Sequence, residues 1–281
     1  MKLAEIKGRA AVVTAPDRAV DLADASDGRF SPDIQLAYEQ WDEVKAFAAA
    51  LDDSKAAPVS PADYGNPVPR PRQIFAIGLN YVEHAKESDF AVPGQPTVFT
   101  KFVTCLTGPT GKIALPPGDV DWEVELVAVI GRRADHVTVE DAWDHVAGLT
   151  VGQDLSERIL QRSGPAPQFS MAKSYPGFGP LGPVVVTPDE VPDRDDLELG
   201  CLADGEQLQK GRTSDMVFPV AELVSRLSAI TPLLPGDIIF TGTPSGVGMG
   251  RNPQRFLKPG QELVTYIEGI GTMRHTLTGG A

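Results

Sequence analysis

One stretch of the chain, residues 121–131, constrains both the fold and the chemistry. Its β-branched and aliphatic residues predict a strand that ends at Gly131. Side chains in a strand alternate between two faces, so Glu123 and Glu125 should point the same way, about 6–7 Å apart. Two carboxylates at that spacing can reach one cation, although an acidic, exposed sheet face is typical of the same pattern.

A second predicted strand, residues 145–153, adds a third carboxylate, because Asp154 follows it directly. The segment has no nearby cluster of Cys and His residues. Three carboxylates in such a setting favour a hard, oxygen-loving ion such as Mg²⁺, Mn²⁺ or Ca²⁺ over zinc.

The charge of the chain limits its partners. Acidic residues outnumber basic ones, 38 to 25, which gives a formal net charge of −13 and a pI near 4.7. Nucleic acids and anionic membranes bind basic surfaces, so neither is an expected partner. The two cysteines lie far apart, the first residues lack a signal-peptide pattern, and no apolar run approaches about 18 residues. These features predict a cytoplasmic protein.

Proline and glycine divide the chain. Residues 57–72 are rich in proline and predict an extended linker. Residues 1–56 combine short strands with one helix over residues 31–51, capped by Ser31, and predict a small N-terminal α+β domain. Residues 73–281 form the larger predicted domain. The 28 glycines and 25 prolines favour strands over helices there, with a loop at 106–119 and one helix at 215–230.

Three further segments carry residue types suited to catalysis, each with an ordinary alternative. His84 and Glu87 would share one face of a helix, where the carboxylate could orient the imidazole as a general base, or both could be unrelated surface residues. Lys173 could stabilise an oxyanion or extend its ammonium group to solvent. Backbone N–H groups of the glycine-containing loop 241–248 could bind an anion, or the loop could be a plain turn. This loop has neither a Walker nor a Rossmann pattern.

Six segments occur in a specific order, although each is weak alone: residues 77–87, 121–126, 153–158, 172–174, 178–183 and 235–248. Together they resemble the fumarylacetoacetate hydrolase superfamily, and most closely its bacterial acylpyruvate and diketo-acid hydrolase branch. The resemblance spans residues 73 to about 270. The chain departs from that pattern at Ile159 and at residues 176–177, where relatives often carry Asp and Asp-Thr.

The resemblance implies a mixed, β-rich α+β fold with a β-roll catalytic domain. It further implies a homodimer that binds one divalent cation, Mg²⁺ first among Mg²⁺, Mn²⁺ and Ca²⁺, and a small-molecule keto-acid substrate. It assigns His84 and Glu87 to a water-activating dyad on a mobile lid over residues 79–92, and Lys173 to the catalytic site. The implied metal ligands are Glu123, Glu125 and Asp154. The implied substrate-binding residues are Tyr81, Arg158, Gln161 and Thr243.

The implied reaction is Mg²⁺-dependent hydrolysis of a C–C bond in a 2,4-diketo acid, giving pyruvate or a similar keto acid and a carboxylic acid. Oxaloacetate decarboxylation, and isomerisation or hydration of 2-hydroxy-dienoates in aromatic catabolism, are alternatives on the same scaffold. A non-catalytic protein that binds a metal or small molecule is an alternative of another class, disfavoured by the His84–Glu87 pair. A nucleotide-binding oxidoreductase is disfavoured because the dinucleotide fingerprint is missing.

Overall fold

The computed structural model describes residues 1–87 and 93–280, so residues 88–92 of the predicted lid lie outside the described residues. The strands, in chain order, are β1 (Lys2–Ile6), β2 (Arg9–Ala15), β3 (Arg18–Asp21), β4 (Ala57–Pro58), β5 (Ile74–Gly78), β6 (Thr97–Thr100), β7 (Leu106–Thr107), β8 (Thr110–Leu115), β9 (Val120–Asp121), β10 (Val124–Ile130), β11 (Val146–Gln153), β12 (Ser156–Glu157), β13 (Gly179–Val186), β14 (Glu198–Ala203), β15 (Glu206–Arg212), β16 (Ile238–Phe240), β17 (Glu262–Ile267) and β18 (Gly271–Gly279). The helices are α1 (Leu22–Ala25), α2 (Ile34–Glu39), α3 (Trp41–Ala48), α4 (Val82–Glu87), α5 (Arg158–Gln161), α6 (Phe169–Ala172) and α7 (Val220–Ser228).

The largest sheet is built around β10. Its strands run in the order β4-β3-β2-β1-β13-β11-β10-β16-β5-β6, with β7 beside the start of β13. Every residue of β10 is buried, because its nearly continuous apolar sequence packs on both faces. β10 pairs antiparallel with β11, and Val124 lies opposite Gln153. The start of β10 and the end of β11 are therefore neighbours at the centre of the sheet.

Two hydrophobic cores cover the two faces of this sheet. On one face, Leu126 and Ala128 of β10 pack in a core that includes α7 and a second sheet, ordered β15-β14-β17-β18-β8. On the other face, Val127 and Val129 share a core with α2 and α3. The alternation of side chains along β10 thus feeds both cores. The mixed, β-rich α+β class is confirmed.

The N-terminal segment extends the main sheet. β1 pairs antiparallel with β13, with Leu3 opposite Val185, and β2 to β4 continue outward from β1. The proline-rich segment 57–72 packs against α2, because the Tyr38 hydroxyl donates to the Pro67 carbonyl (2.8 Å). The domain boundaries at residues 56 and 72 stay predictions.

Several predicted elements have different bounds. The helix expected over residues 31–51 is two helices, α2 and α3, which meet at Gln40. Its cap is Asp33, whose side chain accepts the Gln35 N–H (3.0 Å), and the expected Ser31 cap was wrong. The helix expected at 215–230 begins only at α7, directly after Pro219. β8 lies in the segment expected to be a loop, and the sequence pattern did not indicate β15 or β18.

Two observations concern membrane-spanning helices and the cysteines. No helix within residues 1–87 and 93–280 is long and apolar enough to cross a membrane. Cys105 and Cys201 are free thiols, and both are buried. Burial raises the pKa of both thiols, so neither has the character of a reactive thiolate.

Candidate metal and catalytic site

Three carboxylates meet at the junction of β10 and β11. Glu123 directly precedes β10, Glu125 is its second residue, and Asp154 directly follows β11. The Asp154 N–H donates to the Glu123 carbonyl (2.9 Å), which fixes the junction. All three side chains are buried, and one oxygen from each lies within 4.8 Å of the others. The structure therefore brings the three predicted metal ligands together, and we call them the carboxylate triad.

Two buried lysines bind the triad. Lys173 Nζ lies 2.6 Å from an oxygen of Glu123 and 2.6 Å from one of Asp154. Lys101 Nζ lies 2.6 Å from the other Asp154 oxygen and donates to the carbonyls of Phe178 (3.2 Å) and Lys173. Lys173 is only 2% exposed, which rules out the solvent-exposed alternative. Lys101 was not among the predicted site residues, and its position in an aromatic segment directly after β6 was the available signal.

Burial and neighbouring charges set the protonation of the triad. Burial raises the pKa of Glu123, but Lys173 and Arg158 outweigh it and hold that pKa at about 2. Burial also raises the pKa of Glu125, and Asp154 and Glu123 add to this effect, so it lies well above its usual range. Burial lowers the pKa of Lys173, but Asp154 and Glu123 raise it by more. The pKa therefore lies above its usual value, and the side chain stays an ammonium.

The donor set and the charge balance fit one divalent cation. Carboxylate oxygens are preferred ligands of hard ions such as Mg²⁺ and Mn²⁺. Within residues 1–87 and 93–280, no Lys or Arg nitrogen lies within 4 Å of Glu125, which accepts the Gly242 N–H (2.8 Å). Five carboxylates and three permanent cations are linked at the site, so two negative charges are in excess when all five carboxylates are ionised, as Glu125 would be on binding a cation. The carboxylates are those of Glu87, Asp121, Glu123, Glu125 and Asp154, and the cations are Lys101, Arg158 and Lys173.

The predicted dyad is formed on α4. His84 Nδ1 lies 2.8 Å from Glu87, and the Glu87 carboxylate also accepts the Gly246 N–H (2.9 Å). An ionised carboxylate can only accept, so Nδ1 carries a proton, and in the neutral imidazole Nε2 is then the nitrogen with the lone pair. His84 is buried at a cavity beside the triad, which does not fit two unrelated surface residues.

Arg158 and Gln161 lie on α5 beside the triad. Arg158 Nε donates to Asp121 (2.9 Å), its Nη1 donates to Gln161 Oε1 (2.9 Å), and its Nη2 makes an ion-pair contact of 2.7 Å with Glu123. Asp121 also accepts the two N–H groups of residues 248–249 at 2.7 and 2.9 Å. It therefore ties Arg158 to the glycine-containing loop, a role that sequence reasoning missed.

Thr243 and Tyr81 have different surroundings. The Thr243 hydroxyl donates to the Val124 carbonyl (2.8 Å) and accepts from Gln209 Nε2 (2.8 Å). Tyr81 lies in the core, and its buried hydroxyl has no hydrogen-bond partner in the described part of the chain. Burial raises its pKa well above the usual range, and Glu125 adds to this. The roles of both residues toward a substrate stay predictions.

A small cavity joins these groups. Its volume is about 50 Å³, room for a few water molecules. Charged groups and apolar side chains share its lining: Ile77, Gly78, Leu79, His84, Phe99, Glu123, Arg158, Gln161, Phe169, Lys173, Thr243 and Met249. A larger groove of about 640 Å³ lies between β2, α3 and Ile270, and none of the predicted site residues lines it.

Known proteins resemble this chain over most of its length. It is 42% identical over 231 residues to the human mitochondrial oxaloacetate tautomerase FAHD2A, covering 82% of this chain and 73% of that protein. It is 41% identical over 241 residues to the 2,4-didehydro-3-deoxy-L-rhamnonate hydrolase of Sphingomonas sp. (strain SKA58), covering 84% of each chain.

Solved structures share the whole fold. A candidate HpcE protein from Mycobacterium smegmatis superposes with a TM-score of 0.93 at 52% identity over 100% of both chains. Maleylpyruvate hydrolase from Sphingobium sp. SYK-6, solved with manganese(II) and pyruvate, gives a TM-score of 0.82 at 29% identity, again over 100% of both chains. The family model described as "Fumarylacetoacetate (FAA) hydrolase C-terminal" matches residues 73–278. The chain therefore belongs to the fumarylacetoacetate hydrolase family of enzymes.

Proposed function

We propose that this chain is a hydrolase that uses a divalent cation, Mg²⁺, to cleave a C–C bond of a 2,4-diketo acid such as an acylpyruvate. The observation that carries the proposal is the His84–Glu87 pair (2.8 Å) at the cavity that also contains Glu123 of the carboxylate triad. Hydrolysis of a carbonyl compound needs a base for water, and a cation or ammonium for the developing negative charge. The hydrolases among the relatives lend further support.

The chemistry follows from the positions of these groups. When bound by the triad, the cation would polarise the 2-keto group and stabilise the enolate that leaves. His84 accepts a proton from water at Nε2, while Glu87 holds Nδ1–H and fixes the ring. The hydroxide adds to the C4 carbonyl, and the Lys173 ammonium offsets the charge of the new oxyanion. The C3–C4 bond then breaks, releasing a carboxylic acid and an enolate that takes up a proton to become pyruvate.

Oxaloacetate tautomerisation is the second candidate. It is favoured by the 42% identity to the human oxaloacetate tautomerase and by the small cavity, which suits a compact substrate. The interconversion moves a proton between C3 and the enol oxygen and needs no attacking water. His84 could serve as its base as well, so the two reactions differ in whether water is consumed.

The ion, the assembly and the compartment complete the proposal. Mg²⁺ and Mn²⁺ prefer the same oxygen ligands, and a similar maleylpyruvate hydrolase was solved with Mn²⁺. We propose a homodimer, by resemblance, and a cytoplasmic location, from the sequence, whereas the human relative is named as mitochondrial.

The decisive variant is His84→Ala. We expect it to abolish hydrolysis of acetylpyruvate and to keep Mn²⁺ affinity, because the triad is untouched. Pyruvate release and calorimetric Mn²⁺ binding are the measurements. His136→Ala is the matched control, since His136 is an exposed imidazole also 2.8 Å from a carboxylate, that of Asp135.

Each outcome points to one reaction. Full hydrolytic activity in His84→Ala would refute the mechanism in which His84 activates water. Oxaloacetate decarboxylation needs no attacking water and should survive in part in that variant. If the wild-type protein leaves acetylpyruvate intact but accelerates oxaloacetate tautomerisation, the second candidate replaces the first.

A further inference from the structure

We infer that the cavity selects 2-oxo acids whose tail is apolar and uncharged. The inference rests on the proposed function only in placing the 2-oxo-carboxylate head of the substrate at the carboxylate triad. It excludes a second carboxylate at the far end of a longer tail, a restriction that the proposed reaction does not itself impose. The second carboxylate of oxaloacetate is bonded to C3, next to the head, and is not part of such a tail.

Aromatic side chains form part of the cavity wall. Phe99 on β6 and Phe169 on α6 make an edge-to-face contact with ring centroids 5.4 Å apart. The Lys173 ammonium lies 5.1 Å from the centre of the Phe99 ring, so this wall adjoins the charged groups of the site. Other apolar side chains in the lining are Ile77, Leu79 and Met249. A tail that extends from the triad would meet this wall, and apolar groups gain from such contact.

The cationic side chains of the cavity are already paired. Arg158 binds Asp121 and Glu123, and Lys173 binds Glu123 and Asp154. The nearby Arg162 is exposed, lies outside the cavity lining, and donates from Nε to the Arg158 carbonyl (3.3 Å). A second substrate carboxylate would therefore have to take a cation from one of the enzyme's own carboxylates.

Backbone donors of the glycine-containing loop are also in use. The Gly246 N–H donates to Glu87, and the N–H groups of residues 248–249 donate to Asp121. The sequence suggested this loop as an anion site, and the anions it binds are carboxylates of the chain itself. While these hydrogen bonds to Glu87 and Asp121 are formed, the same N–H groups are not available to a distal carboxylate of a substrate.

The charge balance of the site also disfavours a second carboxylate on the substrate. The two negative charges in excess at the site match one divalent cation, so a bound substrate head already adds one uncompensated charge. A carboxylate at the far end of the tail would lose hydration without gaining a partner.

Two 2-oxo acids of similar shape test this inference. One is 2-oxoadipate, and the other is 6-methyl-2-oxoheptanoate, in which an isopropyl group replaces the terminal carboxylate. Binding to the wild-type protein is measured by calorimetry in saturating Mn²⁺. We expect the neutral-tailed acid to bind at least about tenfold more tightly. Equal or tighter binding of 2-oxoadipate, or no binding of either acid, overturns the inference.

A charge placed in the wall tests the assignment of that wall. Phe169→Lys should weaken or reverse the preference, because it supplies the missing cation. Met171→Lys is the control, since Met171 lies on the same short helix and is 63% exposed. The preference should survive in Met171→Lys, and its survival in a folded Phe169→Lys variant would exclude the aromatic wall. If thermal unfolding shows that Phe169→Lys does not fold, the wild-type comparison decides alone.

This measurement is independent of catalysis. Neither acid has a 4-keto group, so neither can undergo the proposed cleavage. A protein that does not cleave acetylpyruvate yet prefers the neutral tail would refute the proposed function and support the inference. One that cleaves acetylpyruvate and prefers 2-oxoadipate would do the reverse.

Discussion

Lys101 reduces the repulsion within a buried group of like charges. Its ammonium is shielded from solvent and lies 2.6 Å from Asp154, with two backbone carbonyls as further acceptors. A fixed positive charge at this distance offsets the repulsion between Asp154 and the other carboxylates before any metal ion binds. Lys101 is absent from the cavity lining, so it supports Asp154 and does not meet substrate.

Lys101→Met keeps the apolar stem and removes this charge. Loss of one partner of a buried ion pair costs about 3–5 kcal/mol, so we expect a clearly lower Tm. Added Mn²⁺ should recover part of the loss, because it replaces the missing positive charge. Thermal unfolding with and without Mn²⁺ measures both effects, with exposed Lys112→Met on β8 as control. An unchanged Tm in Lys101→Met would contradict the supporting role.

The residues that could be predicted are those whose partners are close in sequence. Glu123 and Glu125 follow the alternation of a strand, and His84 and Glu87 lie one helical turn apart. Lys101 and Asp154 are separated by 53 positions, and no local pattern specifies their contact. Contacts of this kind depend on how the strands assemble, so sequence periodicity alone does not reveal them.

The same distinction holds for whole elements. β10 and β11 are buried along their entire length, so their apolar runs stand out in the sequence. β15 is mostly polar in sequence, and only Leu208 and Gln209 are buried among its seven residues. Its pairing with β14 was therefore not indicated by composition. The break between α2 and α3 was missed because apolar residues keep helical spacing across it.

Helix α4 is joined to the glycine-containing loop by one carboxylate. Glu87 accepts the Gly246 N–H while it holds His84. Gly246 has φ +103°, and a Cβ there would lie 2.7 Å from the Leu208 carbonyl oxygen, so this position requires glycine. The loop thereby fixes the carboxylate that orients the base.

Glu87→Gln keeps the shape of the side chain but removes its charge. We expect kcat for acetylpyruvate to fall about 10–100-fold, because His84 loses the carboxylate that orients it and stabilises its protonated form. Glu83→Gln, on the same helix, alters an exposed carboxylate that pairs with Lys86 (2.6 Å) and should leave kcat unchanged. Steady-state kinetics of the two variants decide the matter. Equal rates for both would refute the role of Glu87.

At the scale of the whole molecule, the carboxylate triad joins the two central strands of the main sheet. Glu125 belongs to β10, and Asp154 follows β11, so a metal ion there would cross-link the middle of the fold. Any ligand that binds only the folded chain shifts the unfolding equilibrium toward the folded state. Metal binding should therefore be visible in global stability as well as in turnover.

Adding Mn²⁺ or Mg²⁺ to metal-free protein should raise its Tm and restore activity. A cation at roughly a hundredfold excess over its Kd stabilises by about 2.7 kcal/mol. Glu125→Gln should lose most of this shift without lower stability in the metal-free state, because an amide matches the shape and neutral charge of the protonated carboxyl that burial favours there. Exposed Glu262→Gln is the control. A full metal-induced shift in Glu125→Gln would show that the ion binds elsewhere.

The pairing of β1 with β13 bears on what part of this chain can stand alone. The family model begins at residue 73, whereas the strand that hydrogen-bonds to one side of β13 comes from the first six residues. A fragment trimmed to the matched region would present bare N–H and C=O groups at the apolar end of β13, around Val185 and Val186, a template for strand addition between copies and for aggregation. In this chain, residues remote from the chemistry protect the enzyme against uncontrolled self-association.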